Sequence, residues 1–300
     1  MESKMESQSN FEAFNSLNNS LSWSVKEALE YGAESLRKSG IMRPVLESEI
    51  LLSFVLKTTR VALHCHFDER IDSFWLESFK RLIKRRSLYE PIEYLTECVG
   101  FFGEELYISH GALIPRPETE ILVQKALDLI LSKDCKRIAE IGVGSGAISV
   151  LLAHLLQNTK REFHASDISP EALFNAYVNK VKFKANNLTL HHSSYLDFNQ
   201  SLKIPFDLLL SNPPYIQKGE ILPPSLKYEP QRALFGGKRG DEILLHIIQL
   251  SFESKIPFLV CEMGYNQRES VESYLQTLPH KKLEFYQDLA GLERGFLIEF

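Results

Sequence analysis

Three hundred residues leave room for about two domains at the usual ~150 residues each, enough to bury a core without disulfides or metals. A hydrophobic fraction of 44% and a charged fraction of 24% are ordinary globular values. The formal charge of −5, from 34 Lys and Arg against 39 Asp and Glu, is opposite to that of a chain binding nucleic acid through a broad basic surface.

The elements follow in chain order. Residues 1–22 lack both a basic start and an apolar core, so they read as a disordered tail rather than a secretory signal. The longest apolar runs, at 50–56 and 148–156, fall short of the ~20 residues that span a bilayer, so no membrane segment is expected. Residues 23–88 read as a small helical domain. Val25, Ala28, Leu29, Ala33 and Leu36 form one stripe that Gly40 ends; a second helix follows Pro44 with Leu46, Ile50, Leu51 and Phe54 inward. TRVALH (59–64) reads as a turn, and a third helix runs from Asp72 with Trp75, Phe79, Leu82 and Ile83 buried. The run KRLIKRR (80–86) is either a solvated face or a contact for RNA or an acidic partner. His64-Cys65-His66 lacks a second ligand pair, which makes it a packing feature rather than a metal site, and His191-His192 reads as a strand end. No metal is expected anywhere. Cys65, Cys98, Cys135 and Cys261 lie far apart without a C-x-x-C pattern, as reduced thiols of a cytoplasmic protein do.

Residues 89–115 lose helical periodicity and place β-branched and aromatic residues around glycines, the pattern of a β-hairpin connecting two domains. The second domain then fills 116–300. Pro117 suits a first helical turn that Glu118 and Glu120 complement, with Leu122, Ala126, Leu129 and Ile130 buried. From Arg137 short strands alternate with helices: RIAEIG and a helix from about Gly146, EFHASD and a helix at Ser169-Pro170, then LTLHH, FDLLLS, PFLVCE, KLEFYQ and GFLIEF. That alternation predicts an α/β, doubly wound, mostly parallel seven-stranded sheet, and the helix-free link between the last two runs predicts an antiparallel last strand.

Two stretches carry chemistry. The first strand runs into Glu140-Ile141-Gly142-Val143-Gly144-Ser145-Gly146-Ala147, a glycine turn at which a ligand can approach backbone N–H groups. The loop alone fits a nicotinamide dinucleotide or S-adenosylmethionine; Glu140 favours the second, because a carboxylate repels pyrophosphate and attracts ammonium and sulfonium. Asp167, closing the second strand, can accept from the hydroxyls of a ribose, while Ser169 suits the N-cap of the following helix. Tyr195, after the third strand, is placed to pack on adenine or to serve as core. After the fourth strand comes Ser211-Asn212-Pro213-Pro214-Tyr215 at the carboxyl edge where such sheets hold ligands. The paired prolines make a rigid turn without N–H donors. It presents the Asn212 side-chain oxygen and a backbone carbonyl as two acceptors for a planar NH2 group, on which Tyr215 can stack.

NPPY after E-I-G-V-G-S-G resembles the amino-methyltransferases acting on nitrogen conjugated to a planar system, adenine-N6 and guanine-N2 enzymes of nucleic acids among them. The stretches PIEY (91–94), FFG (101–103), LIPRPETE (113–120), DISPEAL (167–173), EP (229–230) and EMGY (262–265) narrow this to a resemblance to the PrmC/HemK family. Glu140 and Val143 stand where that family commonly has Asp and Thr. The resemblance implies a class I S-adenosylmethionine-dependent methyltransferase fold and methylation of the glutamine amide (N5) in the GGQ motif of peptide chain release factors. It also implies cofactor contacts at Gly142, Val143, Gly144, Ser145, Gly146 and Asp167, and glutamine binding by Asn212, Pro213, Pro214 and Tyr215. Phe102 is then expected to line the substrate slot, and the helical domain to grip the release factor. Asn212 and Pro213 are the expected catalytic pair. A cytoplasmic monomer without a nucleic-acid substrate is the overall expectation.

Overall fold

The computed structural model describes residues 22–300; the tail expected over 1–22 lies outside the described residues except for Ser22. The chain divides into a unit ending at Thr96 and a unit Glu97–Phe300. Among the described residues no helix is long and apolar enough to cross a membrane.

In the first unit, α1 spans Val25–Lys38, opened by a capping box in which Ser24 and Glu27 satisfy each other's backbone N–H. Helix α2 (Pro44–Leu56) and α4 (Ser73–Ser87) pack on it through Leu36, Leu51, Phe79 and Ile83, all essentially inaccessible. Between them TRVALH is a short helix, α3 (Arg60–Cys65), rather than a turn, because the Thr59 hydroxyl accepts the Ala62 N–H at 3.2 Å and caps it. The basic run is partly engaged inside the unit. Arg85 forks onto Glu90 at 2.5 and 2.8 Å, and Arg86 pairs with Glu47 of α2, both side chains being mostly buried. Arg85 and Arg86 thus tie α4 to its neighbours, while Arg81 and Lys84 stay exposed as a solvated face of the helix. His64 and His66 face separate carboxylates, Glu49 and Glu69.

The expected 89–115 connector is split. Its first part forms α5 (Ile92–Thr96), whose Leu95 enters the helical core. The hairpin β1 (Cys98–Phe101) and β2 (Glu104–Tyr107) instead gives Phe101 and Leu106 to a core of the second unit. Burial of these side chains, not the change in sequence texture, decides the boundary.

In the second unit, α6 (Thr119–Ser132) starts later than expected, because Arg116, Pro117 and Glu118 form a tight turn closed by i to i+3 hydrogen bonds. There follow β3 (Arg137–Ile141), α7 (Ser149–Leu155), β4 (Glu162–Asp167), α8 (Pro170–Lys182), β5 (Leu188–His192), α9 (Asn199–Leu202) and β6 (Leu208–Ser211). A small parallel pair not expected from the sequence, β7 (Ile216–Gln217) with β8 (Phe235–Gly237), precedes α10 (Glu242–Glu253), β9 (Phe258–Glu262), α11 (Arg268–Leu275), β10 (Lys282–Gln287) and β11 (Glu293–Glu299). The main sheet has seven strands in the order β10-β11-β9-β6-β3-β4-β5. β11 runs antiparallel to both β9 and β10, and the β9-β6-β3-β4-β5 stretch is parallel throughout. One core around Leu122, Phe163 and Leu210 and another around Leu209, Ile247 and Phe296 cover its two faces.

The parallel register aligns what matters. Ile141 is level with Ser166 and Ser211, and Ser211 with Cys261. One step further along the chain, Gly142, Asp167, Asn212 and Glu262 therefore emerge together at the carboxyl edge.

A close approach in the helical unit supplies a test. A Cβ on Gly32 of α1 meets Phe79 Cζ at 2.7 Å and Ile83 Cδ1 at 3.1 Å. Although alanine is the better helix former, Gly32→Ala is expected to lower the stability of this unit by ~1–3 kcal/mol in urea titrations; unchanged stability would show that the helices move apart freely.

Candidate active site at the carboxyl edge of the sheet

A cavity of about 250 Å³ opens at this edge, lined by the glycine loop, Asp167, Tyr195 and the Asn212-Pro213-Pro214 turn. Gly142 and Gly144 have φ of 76° and 54°, and a Cβ on either would meet no protein atom within 4 Å. The left-handed backbone explains the glycines, and their bare faces leave the cavity open to a ligand. Gly146 serves helix packing instead. At its φ of 85° a Cβ would strike Val150 Cγ2 at 2.6 Å and approach Ala176 Cα at 3.2 Å. It lets α7 and α8 pack, and it does not line the cavity.

The loop's N–H groups are mostly engaged within the protein, contrary to the expectation that a ligand would meet them. Gly142 and Val143 donate to Ser166 O at 2.9 and 3.0 Å, Gly146 donates to Val143 O at 2.8 Å, and Gly144 donates to Asp167 Oδ2 at 3.0 Å. A loop that has used these donors is a poor pyrophosphate cradle, which removes the main physical reason for a dinucleotide. Asp167 Oδ1 accepts from the Ser169 N–H at 2.9 Å, and Ser169 caps α8 as expected. Each carboxylate oxygen thus keeps one lone pair, the capacity that two ribose hydroxyls require.

Glu140 is buried and lines the cavity floor. Its Oε2 accepts the Ser149 N–H at the start of α7 at 3.0 Å. Burial pushes its carboxyl up to about 8, the Ser149 hydrogen bonding opposing the shift and the Asp167 charge adding to it. The Tyr195 ring forms part of the wall and meets His246 edge-on at 4.6 Å.

The Asn212 turn rests on a network that was not apparent from the sequence. Asn212 Nδ2 donates to Thr119 Oγ1 at 3.1 Å, and Thr119 Oγ1 donates to Glu262 Oε2 at 2.7 Å. The Tyr215 hydroxyl reaches Glu262 Oε1 at 3.4 Å, so that side chain supports the turn and does not line the cavity where stacking on a ligand was expected. Glu262 was open to detection by the signal used for Asp167, a carboxylate at the end of a buried strand. Thr119, between two glutamates, carried no such signal. The Pro213 carbonyl meets no protein donor among the described residues. Two acceptors, Asn212 Oδ1 and Pro213 O, remain for a ligand.

Other expected positions diverge. Phe102 sits in the hairpin turn at φ 53°, packed on the core with its N–H on Glu120 Oε1 at 2.8 Å, and it does not line the cavity. The loop 113–117 is tied down by Glu229, which accepts the Ile114 N–H at 3.0 Å and pairs with Arg116 at 2.6 Å while almost wholly buried. This pair holds Leu113 and Pro115 against one side of the cavity and Pro230 against another. His191 pairs with His164 at 3.0 Å and stacks on Phe198 at 3.9 Å, away from the cavity.

Comparisons with known proteins identify the family. Residues 27–96 match the model of the PrmC N-terminal domain, and residues 118–224 match that of the methyltransferase small domain. The release factor glutamine methyltransferase of Buchnera aphidicola subsp. Acyrthosiphon pisum is 34% identical over 266 residues, covering 87% of this chain and 94% of that protein. The bifunctional methyltransferase of Rickettsia typhi is 31% identical over 91% of this chain, which spans only 57% of that protein's length. Among solved structures, the hMettl16 catalytic domain in complex with MAT2A 3'UTR hairpin 6 superposes with a TM-score of 0.54 at 16% identity, covering 78% of this chain and 85% of that chain, a likeness of fold alone. The chain belongs to the release factor glutamine methyltransferase family and is an S-adenosylmethionine-dependent methyltransferase.

Proposed function

We propose that this protein transfers a methyl group from S-adenosylmethionine to the side-chain amide nitrogen (N5) of the glutamine in the GGQ motif of peptide chain release factors, acting in the cytoplasm as a monomer. The observation that carries the reading is the pair of acceptors left at the Asn212 turn, Asn212 Oδ1 and Pro213 O, beside a cavity that lacks a phosphate cradle. A primary amide has two N–H groups and fits two acceptors; a carboxylate or an ester has none to offer.

The residues present fit the cofactor. Asp167 would hold its ribose, Tyr195 its adenine, and the bare faces of Gly142 and Gly144 would admit it, with Glu140 below as a counter-charge. When bound, S-adenosylmethionine supplies an activated methyl group. What the protein adds is position: Asn212 and Pro213 orient the amide so that its nitrogen lone pair faces the methyl, and their oxygens favour the positive charge that develops on that nitrogen. No strong base is needed, because the proton leaves once the nitrogen is cationic.

An amino-methyltransferase for nucleic acid shares NPPY and is the rival reading. The acidic balance and the internal pairing of Arg85 and Arg86 count against it. Two hydrogen bonds at ~0.5–1.5 kcal/mol each cannot select one glutamine among thousands, so remote contacts must do so, and the helical unit is the proposed source.

Asn212→Ala is expected to leave the unfolding midpoint nearly unchanged and to lower turnover by ~10²-fold or more; near-normal turnover would make Asn212 structural. For the full-length enzyme, kcat/KM on an intact release factor should exceed that on a short GGQ peptide by ~10²-fold or more, and parity would remove the docking role of the helical unit. Glu140 gives a pH-dependent test. Its folded pKa of about 8 lies above the ordinary 4.5, so the folded state holds the extra proton. The stability it contributes is full below about 4.5 and is lost as pH rises through about 8. Glu140→Gln should therefore melt about 2–4 °C or more above the wild type at pH 9, yet bind S-adenosylmethionine about tenfold or more weakly. Calorimetry at pH 7 in buffers of different ionisation heat should show proton release on binding for the wild type alone; equal release in both proteins would move the counter-charge elsewhere.

A further inference from the structure

We infer that Glu262, acting through Thr119, is the positioning residue that decides which end of the Asn212 side chain faces the reacting amide. The amide group of asparagine can point its oxygen or its NH2 into the cavity, and only the first is useful to an NH2 substrate. An ionised carboxylate can only accept. Thr119 therefore donates to Glu262 at 2.7 Å, its oxygen is left as an acceptor, and the atom of Asn212 at 3.1 Å must be the NH2. Asn212 Oδ1 then faces the ligand side. Thr119 and Glu262 are both buried, so water does not scramble these directions. The four groups Asn212, Thr119, Glu262 and Tyr215 form one chain of hydrogen bonds drawn from α6, β9 and the NPPY turn that follows β6.

The polarity depends on the ionisation of Glu262, which burial pushes up to about 7 against the hydrogen bonds from Thr119 and Tyr215 and the charge of Arg294 on β11. Glu118, before α6, opposes its ionisation, and Cys261 on the same strand and Tyr286 on β10 also face it. Once protonated, the carboxyl can donate to Thr119 and release the constraint on Asn212. The active orientation is thus secured as pH rises through about 7 and loosened below it.

The inference rests on the glutamine reading for what Asn212 receives, so its test has one arm without substrate. In the full chain labelled with ¹⁵N at asparagine side chains, the Asn212 signal, identified by its loss in Asn212→Asp, should titrate with a midpoint near 7 in the wild type and in Thr119→Ser. It should be flat in Thr119→Val and in Glu262→Gln. In the second arm, methyl transfer to a GGQ peptide by Thr119→Val should show kcat lowered roughly 10- to 100-fold and no acid limb near neutrality, with calorimetric S-adenosylmethionine affinity unchanged. Thr119→Ser should restore most of the rate and the limb. An Asn212 signal indifferent to pH and to Thr119→Val overturns the relay, as does a Thr119→Val enzyme with wild-type kcat and pH profile. If the wild type methylates no glutamine while the Asn212 signal still follows Glu262, the substrate reading falls and the relay stands.

Discussion

The site depends on a constraint of sheet geometry, the in-register parallel pairing of β9, β6, β3 and β4. Parallel strands all end at the same edge, and neighbours lie ~4.8 Å apart. Residues one step beyond the last paired row are therefore brought together without any loop having to find its partner. Gly142, Asp167, Asn212 and Glu262 occupy that row, which is how a glycine turn, the Asp167 carboxylate, the Asn212 amide and a buried carboxylate come together. A register slip of one residue in any of these strands would turn its chemical residue away from the others.

The same arrangement makes the site electrostatically costly. Glu140 and Glu262 are both held far from water, and both carboxyls shift towards neutrality. Their environments differ in use. Glu140 touches the cavity and gains from a cation placed there, whereas Glu262 is turned towards hydroxyl groups of its own protein. Burial of an ionisable carboxyl costs stability at both positions.

Much of this was legible in the sequence where local pattern suffices. The alternation of short apolar runs with helices located the strands, and the order of strands and turns located the glycine loop, Asp167 and the Asn212 turn at one edge. Contacts distant in sequence were illegible. Thr119 and Glu262 are 143 residues apart, and nothing local at either position announces the other. Arg81 and Lys84 of the basic run 80–86 are exposed as a solvated face would be, but the pairing of Arg86 with Glu47 and of Arg85 with Glu90 was not legible. Phe102 was expected in the substrate slot only from the family resemblance, since an aromatic residue in a hairpin serves cores and pockets alike, and Gly146 was grouped with the other loop glycines although it answers to helix packing.

The two unpaired acceptors at the Asn212 turn also bear on how a reaction there would end. On the proposed reading, the substrate amide arrives with two N–H groups and the product leaves with one, its other position carrying a methyl. One of the two oxygens, Asn212 Oδ1 or Pro213 O, then faces a methyl group and goes unsatisfied in a partly buried site. The product is held less tightly than the substrate, and a monomethylated amide has no second N–H with which to re-enter in the same pose. The geometry that selects a primary amide would thereby limit addition to a single methyl and hasten release.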